Sequence, residues 1–191
     1  MICGLILVGG KSIRMGFDKY KIGYRGVPQY QYLQSLFSEM GMQSYLSVSR
    51  DQKPDLLTEN NLIVDAYESR GPIGGILSAM YQFPDVSWLV VACDLPLINK
   101  YHLQQIMEHR TPDCLAITYL VHPNFYETTC TLYERTCRSV LQHEFDNGIG
   151  SLQKALQQMS VKTLPPPEST DLLNVNDRES YRRCMEILKR R

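Results

Sequence analysis

Residues 5–19, LILVGGKSIRMGFDK, carry the densest chemistry in the chain. A short apolar run passes straight into Gly9 and Gly10, and Lys11, Ser12, Arg14, Gly16 and Lys19 follow. Glycine lets a backbone approach phosphate oxygens closely and turn its N–H groups toward them, while the cations supply charge. Spacing excludes two other glycine loops. A P-loop needs GxxxxGK[ST]; Gly10, Lys11 and Ser12 fit its end, but its first glycine would have to be residue 5, which is Leu5. The dinucleotide fingerprint GxGxxG fails because Gly10 directly follows Gly9 and the next glycine is Gly16, so NAD is not the expected ligand. What remains suits a triphosphate whose bridging oxygens gain negative charge in a transition state. The plain alternative is a surface turn with solvated cations, and the full set following a first strand argues against it.

Two acids stand where such a ligand needs them. Asp65 follows LIV and Asp94 follows VVAC, and in an open α/β sheet ligands sit beyond the carboxyl ends of the strands. Pro96 delays the next helix, which holds Asp94 at the strand tip. Magnesium takes hard oxygen ligands, usually one or two carboxylates with phosphate and water, so Asp94 is the candidate metal ligand. A turn aspartate bonded to its own backbone is the alternative. Gly71, Pro72, Gly74 and Gly75 open a helix that a base or ribose could approach; tight helix-on-sheet packing would ask for the same glycines.

The elements that must position these residues alternate. Residues 2–8, 45–48, 62–64 and 88–92 read as strands. Tyr30, Leu33, Leu36, Phe37 and Met40 recur at helical spacing behind Pro28, and Ile76, Leu77 and Met80 behind Pro72. Asn99 caps a helix with the stripe Leu103, Ile106 and Met107. Beyond Thr111, residues 115–120 and 125–133 read as strands and 151–159 as a helix. Residues 164–167 read as a rigid connector and 172–175 as a last short strand. Asp177 caps a final helix with Tyr181, Cys184, Met185 and Leu188 on one face and a solvated Lys189, Arg190 and Arg191 at its end. The expected architecture is α/β: a single Rossmann-like three-layer domain over 1–191, with a mostly parallel central sheet flanked by helices. Its nucleotide-binding half covers about 1–98 and its acceptor-binding half about 99–191.

Composition narrows the partners. Twenty Lys and Arg balance twenty Asp and Glu, which leaves no basic excess for nucleic acid or anionic lipid, so neither is expected as a partner. The apolar run 2–8 is too short to span a bilayer, and the expected location is cytoplasmic. With 43% hydrophobic residues the chain can bury a core without staples, and six cysteines lacking CxxC spacing read as reduced, mostly buried thiols. His102, His109, His122 and His143 are scattered and read as surface residues without a metal role.

With these residues in view, the chain resembles the molybdenum cofactor guanylyltransferase family, nucleotidyltransferases of Rossmann-like α/β fold, over nearly its whole length. The family pattern LAGGxSxRMGxDK resembles residues 7–19, GPLxGI resembles 71–76, CDxP resembles 93–96 and NVN resembles 174–176. The resemblance implies Mg2+-dependent transfer of GMP from GTP to the molybdopterin form of the cofactor, with release of pyrophosphate. It implies that Leu7, Val8, Gly9, Gly10, Lys19 and Ser47 contact the nucleotide and that Asp65, Gly71 and Gly75 line its guanosine end. Asp94 would hold magnesium and act with Arg14 and Lys19 in catalysis, and Asn174 and Asn176 would face the pterin. Transient contact with cofactor-biosynthesis proteins or molybdoenzymes goes with this role. The chain departs from the pattern at Val8 for alanine, Ser47 for an asparagine, Gln153 for a basic residue, and Asp177 and Arg178 for Thr-Pro. Ser47 bears on base preference, the last three on the acceptor. Cytidylyltransferases and sugar-phosphate nucleotidyltransferases share the scaffold but usually carry LAAG or GxG at the glycine pair. A non-catalytic nucleotide-binding regulator is a rival of another class, and joint retention of Arg14, Lys19 and Asp94 speaks against it.

Overall fold

Period-two alternation in two strands sets the layers. In β1 (Ile2–Leu7), Cys3, Leu5 and Leu7 join one buried cluster, while Ile6 and the following Val8 join another. The next strand of the same pattern, Ser87–Ala92, splits likewise, with Trp88, Val90 and Ala92 on one face and Leu89 and Val91 on the other. Strands apolar on both faces must be covered on both faces, which requires helices above and below the sheet. The computed structural model describes residues 1–8, 19–52, 56, 61–67, 71–148, 150–166, 168 and 170–191.

After β1 come α1 (Gln29–Glu39), β2 (Ser44–Val48), β3 (Leu62–Val64), α2 (Pro72–Gln82) and β4 (Ser87–Ala92). The second half adds α3 (Lys100–Glu108), β5 (Ala116–His122), β6 (Phe125–Tyr133), α4 (Arg138–Asp146), α5 (Leu152–Gln157), β7 (Val161–Leu164) and α6 (Arg178–Arg190). The seven strands form one sheet in the order β3-β2-β1-β4-β6-β5-β7. β1 runs parallel to β2 and β4, β2 to β3, and β5 to β7; β6 lies antiparallel between β4 and β5. Leu33, Phe37, Leu103 and Ile106 of α1 and α3 cover one face. Ile76, Leu77, Leu141 and Leu156 of α2, α4 and α5 cover the other. Gly4 makes room for this packing, since a Cβ there would lie 2.7 Å from the Phe37 ring. Among the described residues no helix is long and apolar enough to cross a membrane.

The expected helix starts hold. Pro72 stands at the first turn of α2 behind Gly71, whose φ of 69° favours glycine. Asn99 and Asp177 make capping boxes with His102 and Ser180. Four expectations fail. Residues 172–175 form no strand: a turn bends the chain there, and Leu173 N–H donates to the Thr170 carbonyl. The last strand is instead β7, a short edge element with only Leu164 buried, which leaves little alternation to read. α4 also escaped the sequence reading, because Leu141 is its one buried apolar residue and no side chain caps it.

The last two failures concern charge. His102 is buried at 1% exposure rather than lying at the surface. Its Nδ1 accepts from the Asn99 N–H, leaving Nε2 to face Asp171 Oδ2 at 3.0 Å. Arg191 is not simply solvated: its guanidinium donates to both Asp171 and Glu168, while Lys189 and Arg190 stay exposed. Burial pushes the Asp171 carboxyl up, but hydrogen bonds from Arg191 and His102 outweigh it and hold the group below its ordinary range.

At the amino edge of β4, away from the strand tips, Glu134 accepts from the Ser87 hydroxyl at 2.7 Å and from two nitrogens of Arg110. Burial raises this carboxyl, and the hydrogen bonds from Arg110 and Ser87 with the Arg110 charge more than reverse it, so the net shift is downward. Its contribution is therefore complete above the ordinary value of 4.5 and is lost as pH falls through the lower folded value. Glu134→Gln should lower stability by about 1–2 kcal/mol at pH 7, because it removes charge-assisted hydrogen bonds. The gap to the unsubstituted chain should shrink below pH 4.5, and urea melts at pH 7 and 3.5 read both effects.

Candidate active site

The carboxyl ends of β1, β2, β3 and β4 share one edge because these strands are parallel. The chain leaves β1 for β2 on one side and later returns to β4 on the other, so the switch point lies at the tip of β1. There Val8 N–H donates to the Ser47 carbonyl at 3.2 Å, Cys93 N–H to the Leu7 carbonyl at 3.1 Å, and Gln52 Nε2 to the Val8 carbonyl at 3.0 Å. The exit of β1 is thus fixed from three sides. Gly9, Gly10 and Arg14 lie outside the described residues. Lys19 opens the 3-10 turn Lys19–Lys21, and its side chain also lies outside them.

On the β2–β3 side the expected nucleoside residues come together through α2. Ser47 is buried, and a Cβ on Gly75 would strike its hydroxyl. On Gly74 a Cβ would lie 2.9 Å from the Tyr67 carbonyl and 3.0 Å from an Asp65 oxygen. Both glycines bring the first turn of α2 down onto the strand tips. Asp65 Oδ1 accepts from Tyr67 N–H at 2.7 Å and from the Ser78 hydroxyl at 3.2 Å, so one of its oxygens serves the loop and α2.

On the β4 side, Asp94 meets a segment from the far end of the chain. Val175 N–H donates to the Asp94 carbonyl at 2.8 Å. This sets the Asn174 side-chain amide against the Asp94 carboxylate, where its N–H groups donate to the two oxygens at 3.1 and 3.2 Å. Asn176, two residues on, is exposed, and its N–H donates to Ser180 at the cap of α6. Gln153, in place of a basic residue, accepts from Tyr126 N–H at 3.1 Å and donates to the Tyr126 carbonyl, which ties α5 to β6 as a further strand would.

Sequence reasoning missed Glu127. It is 5% exposed, and its carboxyl is pushed up, first by burial and also by the Asp94 charge, against hydrogen bonds from Thr129 and Asn174. An acid inside the strand-like run 125–133 was the only available signal. The Tyr24 hydroxyl is buried, with no hydrogen-bond partner among the described residues, and it is pushed up by burial and then by Cys184 and Asp94. Among the described residues no group of three or more His, Cys, Asp or Glu gathers. The Asp94 carboxylate at the β4 tip is a hard oxygen ligand of the kind that fits magnesium, which takes one or two carboxylates with phosphate and water.

A model of the MobA-like NTP transferase domain matches residues 4–162. The chain belongs to that family. It is a nucleotidyltransferase. It is similar to a molybdenum cofactor biosynthesis bifunctional protein of Synechocystis, at 34% identity over 180 residues. That match takes in 93% of this chain and 52% of the relative, so the chain spans about half the relative's length. A probable molybdenum cofactor guanylyltransferase of Trichormus variabilis is 28% identical over 181 residues, 93% of this chain and 87% of that one. Among solved structures, molybdopterin-guanine dinucleotide biosynthesis protein A from Archaeoglobus fulgidus superposes over 100% of both chains. Its TM-score is 0.83 at 22% identity, a likeness of fold.

The contact between Gly75 and Ser47 predicts how this nucleotidyltransferase responds to one added methyl group. Gly75→Ala should destabilise by about 1–3 kcal/mol through overpacking. Adding Ser47→Ala removes the struck hydroxyl and should recover most of that loss. A double-mutant cycle by chemical denaturation checks the coupling.

Proposed function

We propose that this nucleotidyltransferase moves GMP from GTP to the terminal phosphate of the molybdopterin form of the molybdenum cofactor, releasing pyrophosphate. The observation that carries the reading is the Asp94 carboxylate at the β4 tip, with the Asn174 amide donating to it from the far end of the chain. It belongs to a chain with relatives named molybdenum cofactor guanylyltransferase.

In this reading the acceptor phosphate attacks the α-phosphorus in line, and pyrophosphate leaves without a covalent intermediate. A phosphate monoester is already anionic near neutral pH, so no strong base is required; the protein aligns two polyanions and offsets their charge. Leu7 and Val8, at the end of β1, would lie beneath the triphosphate, with Gly9, Gly10, Arg14 and Lys19 as the donors the sequence offers to its oxygens. Ser47, Asp65, Gly71 and Gly75 line the nucleoside end. Asp94 would hold Mg2+ with Asn174 beside it, and Asn176 would lie toward the acceptor, where a protein that delivers or receives the cofactor would make transient contact. Magnesium, when bound, supplies charge that neutralises the triphosphate and polarises the α-phosphorus.

The test combines the purified protein with molybdopterin-loaded acceptor, Mg2+ and each nucleoside triphosphate in turn. Pyrophosphate release and the mass of the dinucleotide product are the readouts. GTP should be turned over in preference to ATP, CTP and UTP, since a site that pairs guanine leaves groups unpaired against the others. Dominant turnover of CTP would move the chain to the cytidylyltransferases. Stabilisation by GTP of about 2.7 kcal/mol at a hundred times its Kd, with no pyrophosphate released, would make it a regulator.

Lys19→Ala separates catalysis from anchoring. A contact that strengthens as charge develops on the phosphate should lower kcat by about a hundredfold to a thousandfold, with a smaller change in KM for GTP. An unchanged kcat with raised KM would leave Lys19 an anchor.

A further inference from the structure

The segment 171–175 is gripped at both ends by the stretch of chain that leaves β4. At its far end Val175 N–H donates to the Asp94 carbonyl at 2.8 Å. At its near end the Asp171 carboxyl meets the His102 ring, with Nε2 3.0 Å from Oδ2. Asp94 and His102 are only eight residues apart, so one short stretch holds both grips. His102 is buried at 1% exposure and Asp171 at 3%, and a carboxylate so placed is costly unless it is paired.

Both oxygens of Asp171 are engaged. Oδ2 also accepts from Glu168 N–H at 3.1 Å, and Asp171 N–H returns a bond to the Glu168 carbonyl at 3.1 Å, which closes the turn before the segment. Oδ1 accepts from Arg191, whose guanidinium also donates to Glu168 at 2.7 Å. His102 is itself fixed: its Nδ1 accepts from Asn99 N–H at 3.1 Å, and its carbonyl accepts from the Tyr119 hydroxyl of β5 at 2.9 Å. The near grip is thus referenced to the sheet and not to another loop. Between the grips, Leu172 packs into the core beneath α1 and α3, while Val175 joins Leu97 and Cys184 in a separate cluster. A segment outside the sheet takes its place from such point contacts, and loss of one lowers the cost of opening it locally.

Asn174 lies inside the gripped stretch and Asn176 just beyond it. We propose that Asp171 is a positioning residue for the acceptor substrate, acting with His102 and Arg191 to hold residues 172–176 in the arrangement that presents the two asparagines. The inference rests on the reading of Asn174 and Asn176 as acceptor residues. The side-chain hydrogen bonds and ion pairs of Asp171 go to Glu168, His102 and Arg191, and among the described residues none reaches β1, β2, β3 or α2, where the nucleotide end is built. Damage to the grip therefore reaches the acceptor and spares GTP. When only a fraction of molecules holds the competent arrangement, the apparent affinity for the ligand falls by that fraction.

The test is steady-state kinetics of the full chain with Mg2+, with GTP and molybdopterin varied in turn. Asp171→Asn keeps the shape but sets an amide N–H group against one of the donors that the carboxylate received. It should raise KM for molybdopterin by about tenfold and leave KM for GTP within about twofold of wild type. Arg191→Gln, at an exposed helix end, should act in the same direction and serves if Asp171→Asn does not fold. Arg191→Lys keeps a charged donor without the fork and should recover part of the loss. A merely structural role predicts the opposite split, since a smaller folded fraction lowers kcat and leaves both KM values unchanged. Unchanged KM for molybdopterin in folded Asp171→Asn, or in Arg191→Gln where it alone folds, would overturn the proposal, as would an equal rise in KM for GTP. Wild-type turnover of GTP with molybdopterin in the same assay keeps the reading of the function intact in those cases. If the wild-type chain releases no pyrophosphate from that pair, the reading falls and the role of Asp171 falls with it.

Discussion

The hydrogen bond from Val175 N–H to the Asp94 carbonyl is the joint on which the site depends. It docks a segment some eighty residues downstream against the tip of β4 and delivers Asn174 to a carboxylate that the first half of the chain already holds. A loop has no ladder to fix it, so other contacts must hold this one in place. Asp171 supplies them: buried, it receives His102 from α3 and Arg191 from the end of α6. Leu97, Val175 and Cys184 form a small cluster beside it, with Ile22 and Tyr24 from the first half. The site therefore joins the two halves of the chain.

Close approach matters as much as charge. At three places the fold uses glycine where any Cβ would collide: Gly4 beneath Phe37, Gly74 against the Tyr67 carbonyl, and Gly75 against Ser47. The first seats α1 on β1, and the other two lower the first turn of α2 onto the tips of β2 and β3. Close helix packing accounts for these glycines, and access for a flat ligand would ask for the same ones, which is why the segment 71–75 could not be assigned to one purpose from its composition. Gln153 stands where the family pattern led to the expectation of a basic residue, and its amide spans the Tyr126 backbone.

Much of the architecture was legible. Strands β1 and β4 are apolar on both faces and could be little else, Pro28 and Pro72 mark helix starts, and Asn99 and Asp177 are caps whose chemistry is local. The spacing of the glycine segment against Asp94, four motifs in order, sufficed to indicate a nucleotidyltransferase. The failures share a cause. α4 and β7 draw their order from neighbours rather than from their own pattern, and residues 172–175 bend because Val175 must reach Asp94.

What the sequence determined by itself is what short-range rules govern: periodicity, capping, the backbone freedom of glycine, and the presence of an acid after a buried strand. What only the tertiary structure decided is which distant groups share a dielectric. His102 is buried because Asp171, sixty-nine residues away, supplies its partner. Glu127 lies within range of the Asp94 charge although thirty-three residues separate them. Coulombic and hydrogen-bond energies fall off over a few ångströms, so no pattern along the chain could report either pairing before the sheet order brought the partners together.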